Sequence, residues 1–500
     1  MIGSIRKRYV FHLIGVMVVV FWIAMLTLLV RRQYAAGTRL PGIDSGSASG
    51  DARRDWKEIF LKGKKVGYAV DTLRPFEGGY YIQNELFLKL NLMGFEKGLY
   101  TITQSGVDKN FRLKDFYFKM NSGVISYRIS GKVEGNILKI QTGTGRRKKI
   151  RELKLSEIPM MSSGIDQLFG KIRLKTGDSH RLSFFDPSTM TQKEAVFNVT
   201  AREKIKINNM EYDSWRIESE MMGNKLVFWV DMNGIVLKEE GFMGLTMVKS
   251  SPANAPMNIE AGDADDFYEL TSVQIDKKLP RADRLGLLKL KVDGIDNAEF
   301  DSSGLNSARQ EFTDNIVTVT REKEPFKVGY TVPYAGDDAD LKKYLAPEYN
   351  IESDDREIID TARKIAGKTK NPVAVAKKMM EWVYSSLDKR PVVNIPSAIE
   401  VLHTKTGDCN EHATLLTALL RAEGIPARIS VGLVYMREKF FYHAWVEAYT
   451  GQWITLDPTL DQMPADVTHI SLLRGNIDKQ VEIMGLIGKL RLEVMHFEYY

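Results

Sequence analysis

Residues 9–30 form one apolar run, interrupted only by His12, Gly15 and Thr27. A helix rises about 1.5 Å per residue, so about 22 residues cross the roughly 30 Å hydrocarbon core of a bilayer. The apolar stretch of a cleaved signal peptide is only about 7–15 residues long and leads to small residues. This run is longer and ends at Arg31-Arg32, so it predicts an uncleaved transmembrane anchor over 9–30. A flexible linker rich in Gly, Ser and Ala follows over 31–54. Basic residues nearly balance across the anchor, with Arg6, Lys7 and Arg8 before it and Arg31, Arg32 and Arg39 after it. The short leading stub favours a single-pass protein of the inner (cytoplasmic) membrane, with the bulk of the chain facing the periplasm or exterior.

Beyond the linker the period shortens to two. Runs at 80–92, 126–132, 137–142, 195–201 and 226–231 alternate apolar with polar residues, and Gly, Asn or Asp separate them. They predict a β-rich antiparallel domain over 55–250, with Asn233-Gly234 as a hairpin turn. After a second linker at 251–266, a small β domain over 267–335 reads as a small sandwich. Then helical spacing appears at 354–365 and 372–387, with Ser353 and Asn371 as caps. A third helix runs over 409–422 and stops at Gly424 and Pro426. Strands follow at 427–436, 441–449 and 452–459. The expected architecture is α+β: a transmembrane helix, β-rich antiparallel domains, an α+β core over 340–470 and a C-terminal extension over 471–500.

Composition changes this picture little. At 44% hydrophobic and 27% charged the chain is ordinary globular material, neither disordered nor a polytopic membrane protein. Its net charge of +6 arises from 70 basic and 64 acidic residues, a balance that implies no nucleic-acid partner. The dense basic run Arg146-Arg147-Lys148-Lys149 with Arg151 reads as a solvated hairpin rim. A single cysteine, Cys409, excludes intramolecular disulfides and multi-cysteine zinc sites.

Cys409 opens its helix, where unpaired N–H groups and the helix dipole favour a thiolate. Asp408 and Glu411 oppose that, because nearby carboxylates raise a thiol pKa. Along the helix Ala413, Leu416 and Leu420 extend the face of the cysteine and predict burial on that face. In the strands, Ala444, Val446 and Ala448 share one side with Ile454 and Leu456 if Val446 lies opposite Ile454. That register puts His443 directly across from Asp457. A thiol, an imidazole and an orienting carboxylate are the parts of a nucleophilic triad. The rival is a metal site built from Cys409 and His412, at i and i+3, with His443 and Asp457. His412 otherwise reads as a packing or supporting histidine, and Trp445 and Trp453 as core or cleft wall.

The segments GDCNEHATLLTALLRAEGIPAR, HAWVEAY and GQWITLDPT, with the lead-in YLAPEYNIESDDREIIDTARKIA, resemble the transglutaminase-like core, a papain-related superfamily. The β-rich region more loosely resembles the curved sheets of periplasmic carrier and lipoprotein-type domains. The core resemblance implies Cys409 as nucleophile, His443 as general base and acid, and Asp457 as the orienting carboxylate. It also implies an upstream oxyanion helper, for which Trp382 and Tyr384 are the candidates beside the Cys409 N–H. The expected activity is peptidase, amidase or transamidase chemistry on a protein or peptide substrate, with no cofactor and no calcium loop. Other envelope proteins are partners that the β domains could hold. A non-catalytic envelope scaffold that only binds peptides is the alternative.

Overall fold

A strand turns successive side chains to opposite faces, and that alternation builds most of the molecule. Along the strand Thr191–Ile207, Ala195, Phe197 and Val199 are buried while Glu194, Val196 and Asn198 face outward. The computed structural model describes residues 53–500 except 93–94, 123–124, 143–148, 171, 189, 222–223, 242–243, 263–271, 296–304, 391–396, 476–485 and 487. The apolar run at 9–30, the linker up to residue 52 and most of the basic run at 146–151 lie outside the residues so described. Among the described residues no helix is long and apolar enough to cross a membrane.

Fifteen strands form one largely antiparallel sheet. Its first strand, Arg53–Leu61, pairs with its last, Leu245–Ser250, and the chain meanders from there to both edges. The edge strands Lys149–Lys154 and Met160–Met161 are joined by residues 155–159 alone. A link that short spans at most about 18 Å, so the sheet curls until its edges approach. Phe116 and Phe185, from opposite arms of the meander, pack with ring centroids 5.2 Å apart. The hairpin at Asn233-Gly234 forms, though through a longer turn than two residues. The Asp231 carboxylate accepts the N–H groups of Asn233 and Ile235 at 2.9 and 2.8 Å, and Gly234 takes a positive φ of 79°.

Strands from the expected small β domain make a single sheet in the order Gln310–Thr313, Ile316–Thr320, Leu285–Asp293 and Arg491–Tyr499. Its fourth strand comes from the C-terminal stretch, a long-range pairing that no local pattern announces. A third sheet aligns Ser272–Val273, Lys439–Tyr449, Ala427–Met436 and Ile470–Arg474, with Trp453–Leu456 also paired to Lys439–Tyr449. Against it packs the helix Cys409–Ala422, and around that helix pack Arg356–Ala366, Pro372–Ser386 and Ala398–Thr404. Asn371 caps Pro372–Ser386 as its sequence suggests, accepting from Val373 and Ala374 N–H. The cap of the preceding helix is Asp355, which accepts from Glu357 N–H, rather than Ser353.

Cys409–Ala422 lies at the centre of this unit. Every residue from Glu411 to Arg421 is buried, so the helix is enclosed on all sides and not only along the Ala413, Leu416 and Leu420 stripe. Buried polar contacts fasten the small sheet to the core. Gln310 exchanges hydrogen bonds with the Ser471 backbone at 2.7 and 2.8 Å. Arg309 donates to Thr455 Oγ1 and the Ala465 carbonyl at 2.8 Å each, and to the Asp466 carbonyl at 2.6 Å.

Candidate active site

The helix start is fixed by a reciprocal cap. Asp408 accepts from the helix backbone, and the Glu411 carboxylate accepts the Asp408 N–H at 3.0 Å. Gly407 makes room for it, since a Cβ there would lie 2.2 Å from Glu411 Cβ. This cap presents Cys409, which is half-buried, at the first helical turn. The Ala444 N–H donates to the cysteine sulfur, which sets the thiol against the strand that carries His443. The thiol also hydrogen-bonds the Asp408 side chain.

Those surroundings keep the resting thiol protonated. Burial pushes its pKa well above the ordinary thiol range, and Asp408, Glu411 and Asp457 add to the effect. The Ala444 N–H pulls the other way but is outweighed. The Glu411 pKa is itself pushed well above the ordinary carboxylate range, first by burial and then by the charge of Asp408.

His443 and Asp457 meet, but not through the expected register. Val446 pairs with Leu456 and Ala448 with Ile454, a shift of two residues from the predicted pairing of Val446 with Ile454. Apolar alternation fixes only the face, and a two-residue shift leaves every side chain on its original face. His443 and Asp457 are therefore diagonal neighbours rather than opposed, within reach of a ring. His443 Nε2 lies 2.7 Å from Asp457 Oδ2. The strand stops at Leu456, so Asp457 stands at the start of a turn, where its Oδ1 accepts Thr459 and Leu460 N–H at 2.7 and 3.0 Å.

A second histidine that sequence reasoning passed over completes the cluster. His469 is 1% exposed; its Nε2 lies 3.0 Å from the same Asp457 oxygen and its Nδ1 3.2 Å from Asp466 Oδ1. Its only local signal is the i, i+3 spacing from Asp466, which says nothing of Asp457. Burial alone would raise the Asp457 pKa, but the charges and hydrogen bonds of His443 and His469 hold it well below the ordinary carboxylate range. Burial would lower the His469 pKa, yet hydrogen bonds to Asp457 and Asp466 push it up to about 9.

Among the described residues, the group with metal-ligand spacing is His443, Asp457 and His469, whose ligand atoms lie within 4.8 Å of one another. It leaves out Cys409 and His412; the latter instead places Nδ1 2.6 Å from the Asp408 carbonyl. Ligands bound at 2.0–2.1 Å to a tetrahedral ion sit about 3.3 Å apart. The 2.7 and 3.0 Å separations here are shorter and fit hydrogen bonds between the groups themselves. Trp382 lies beneath the Lys405 ammonium at 4.1 Å and Tyr384 beneath that of Lys389 at 3.4 Å, which gives both candidate oxyanion rings other partners. Trp445 is buried beside both histidine rings, with centroids 6.3 Å from His443 and 5.2 Å from His469, and Trp453 stacks on Arg428 at 4.1 Å.

Residues 359–458 match the transglutaminase-like superfamily core. An uncharacterized protein of Mycobacterium leprae is 31% identical over 108 residues, which are 20% of this chain and 39% of that protein. An uncharacterized protein of Mycobacterium bovis is 30% identical over 158 residues, 27% of this chain and 50% of the relative. The chain thus spans half or less of the length of the curated relatives it matches. A solved structure described as a candidate cysteine protease of Cytophaga hutchinsonii aligns with a TM-score of 0.29 and 18% identity, covering 43% of this chain and 85% of the other.

Proposed function

We propose that the transglutaminase-like core of this chain is the acyl-transfer unit of a membrane-anchored enzyme. It acts on protein or peptide amides through Cys409, His443 and Asp457. The observation that carries this reading is the 2.7 Å His443–Asp457 hydrogen bond, one residue from the Ala444 N–H that reaches the Cys409 sulfur. With Nε2 committed to Asp457, the imidazole has Nδ1 as its basic nitrogen.

Because the resting thiol is protonated, the proton leaves Cys409 for His443 as the sulfur attacks the carbonyl, and no standing ion pair is needed. The Cys409 N–H at the helix start donates to the developing oxyanion. His443 then returns the proton to the leaving amine, and the carbon–nitrogen bond breaks to give a thioester on Cys409. Water resolves that thioester to an acid, or a second amine resolves it to a new amide; His443 is the base in either step. The apolar run at 9–30 anchors the enzyme in the cytoplasmic membrane with its bulk facing the periplasm or exterior, where the β sheets offer surfaces to other envelope proteins.

A peptide-binding scaffold without turnover is the second reading. One observation favours it: Asp408 and burial stabilise the neutral thiol. The full chain in detergent, assayed with p-nitrophenyl esters and a panel of peptide anilides, separates the two. Catalysis requires that Cys409→Ala lose at least about 10⁴-fold in rate with its melting temperature kept. Activity retained in Cys409→Ala, or absent from the wild type on every substrate, favours the scaffold.

A further inference from the structure

His469 has a carboxylate at each ring nitrogen, Asp457 at 3.0 Å and Asp466 at 3.2 Å. A ring that serves two carboxylate acceptors must donate from both nitrogens, so it is an imidazolium. Its ring also packs edge-on to Trp445 at 5.2 Å and to His443 at 5.7 Å. Asp457 in turn receives four donors: His443 and His469 on Oδ2, and the Thr459 and Leu460 N–H groups on Oδ1. Asp466 is tied down separately, accepting Thr468 N–H at 2.8 Å and Thr468 Oγ1–H at 2.6 Å, while Arg309 holds its carbonyl from the adjoining sheet. The loop from Asp457 to His469 is therefore braced from both sides.

We infer that His469 is a positioning residue for the acyl-transfer reaction. Clamped by Asp466, it fixes the Asp457 oxygen that orients His443, and it supplies the positive charge that keeps Asp457 an acceptor. The inference rests on the triad reading above, since His469 acts only through Asp457 and His443. Without the second donor on Oδ2, the Thr459 and Leu460 N–H groups still hold Oδ1, but Oδ2 is left to His443 alone and the imidazole is held less firmly in its tautomer. A displaced base costs rate more than binding, because substrate recognition does not pass through this buried loop.

The test compares wild type, His469→Gln and His469→Leu in the full chain. Glutamine keeps an N–H for Asp457; leucine keeps only the volume. The expected result is a kcat lower by roughly 10–100-fold in His469→Leu, with KM within about twofold, and most of that loss restored in His469→Gln. Proton NMR of the deshielded His443 Nε2–H supplies an independent readout. The signal should persist in His469→Gln and vanish by exchange in His469→Leu. Wild-type kcat and an unchanged signal in folded His469→Leu overturn the inference, as do equal losses in both variants. Should His469→Leu not fold, retention of the signal and most of kcat in His469→Gln supports the role, and their loss there overturns it. If Cys409→Ala proves as active as wild type, the triad reading fails, while the proton signal still reports whether His469 holds Asp457.

Discussion

In the large sheet, Lys57 is 5% exposed and surrounded by Asp71, Asp166 and Glu239; in the core, Asp457 is fully buried and surrounded by His443, His469 and two backbone N–H groups. Both clusters pair buried charges, yet they treat protons in opposite ways. Lys57 contacts Asp166 and reaches Asp71 at 3.1 Å, so one cation serves three carboxylates. Burial therefore wins at the surplus acids: the Asp166 pKa is raised, and burial together with the charge of Asp166 pushes Glu239 up to about 7. Around Asp457 four donors serve one carboxylate, and its pKa falls well below the ordinary range. The ratio of donors to acids, not burial, decides the direction. The role proposed for Asp457, orienting His443 as the base, needs the second arrangement, because the carboxylate has to leave the proton on the imidazole.

The largest effect that would break this comparison is at Asp457. Asp457→Asn should fold but lose about 10²–10⁴-fold in kcat, since the amide cannot hold His443 in the same tautomer. Asp461, exposed at a positive φ of 59° that asparagine also adopts, is the matched control. Its Asn variant should keep wild-type kcat and lie within about 0.5 kcal/mol in stability. Next comes Lys57→Met, which strands buried carboxylates and should destabilise by about 3–5 kcal/mol in denaturant titration. The catalytic rate per folded molecule should not move. A loss of kcat without a loss of stability there would show that the sheet cluster belongs to the site.

The smallest effect sharpens the proton argument. Because the folded pKa of Glu239 lies above its unfolded value, the wild type is favoured at low pH and loses that contribution as pH rises from about 4.5 through about 7. Glu239→Gln avoids the loss and should be more stable than wild type by about 1–3 kcal/mol at pH 8, with the gain vanishing near pH 4. In the core the signs differ. Asp457 contributes stability that is present above about pH 4 and lost as pH falls below it. His469 contributes stability that is full below about pH 6.5 and lost as pH rises through about 9.

What the sequence disclosed follows from range. The cysteine helix runs over Cys409–Ala422 as read, because its start and stop signals are local: Asp408 at the cap and Gly424 with φ at 83°. The face shared by His443 and Asp457 was legible from alternation, whereas the register was not. Ala, Val, Ile and Leu satisfy the apolar face equally, and the strand proved to pair Leu456 with Val446. His469 was illegible because the turn after Leu456 returns it to Asp457, and no periodicity describes a turn. The Lys57 cluster gathers residues 57, 71, 166 and 239 from four separate elements, a meeting that only the curled sheet creates.

The most direct test of the account uses the single cysteine of the chain. Full-length protein is mixed with p-nitrophenyl acetate, quenched in acid within the first turnover and mapped by mass spectrometry. The expected result is one acetyl group on Cys409, formed as a thioester with a matching burst of p-nitrophenol and lost in His443→Ala. Turnover of the ester with Cys409 unmodified, or the same acetylation rate in His443→Ala, would contradict it.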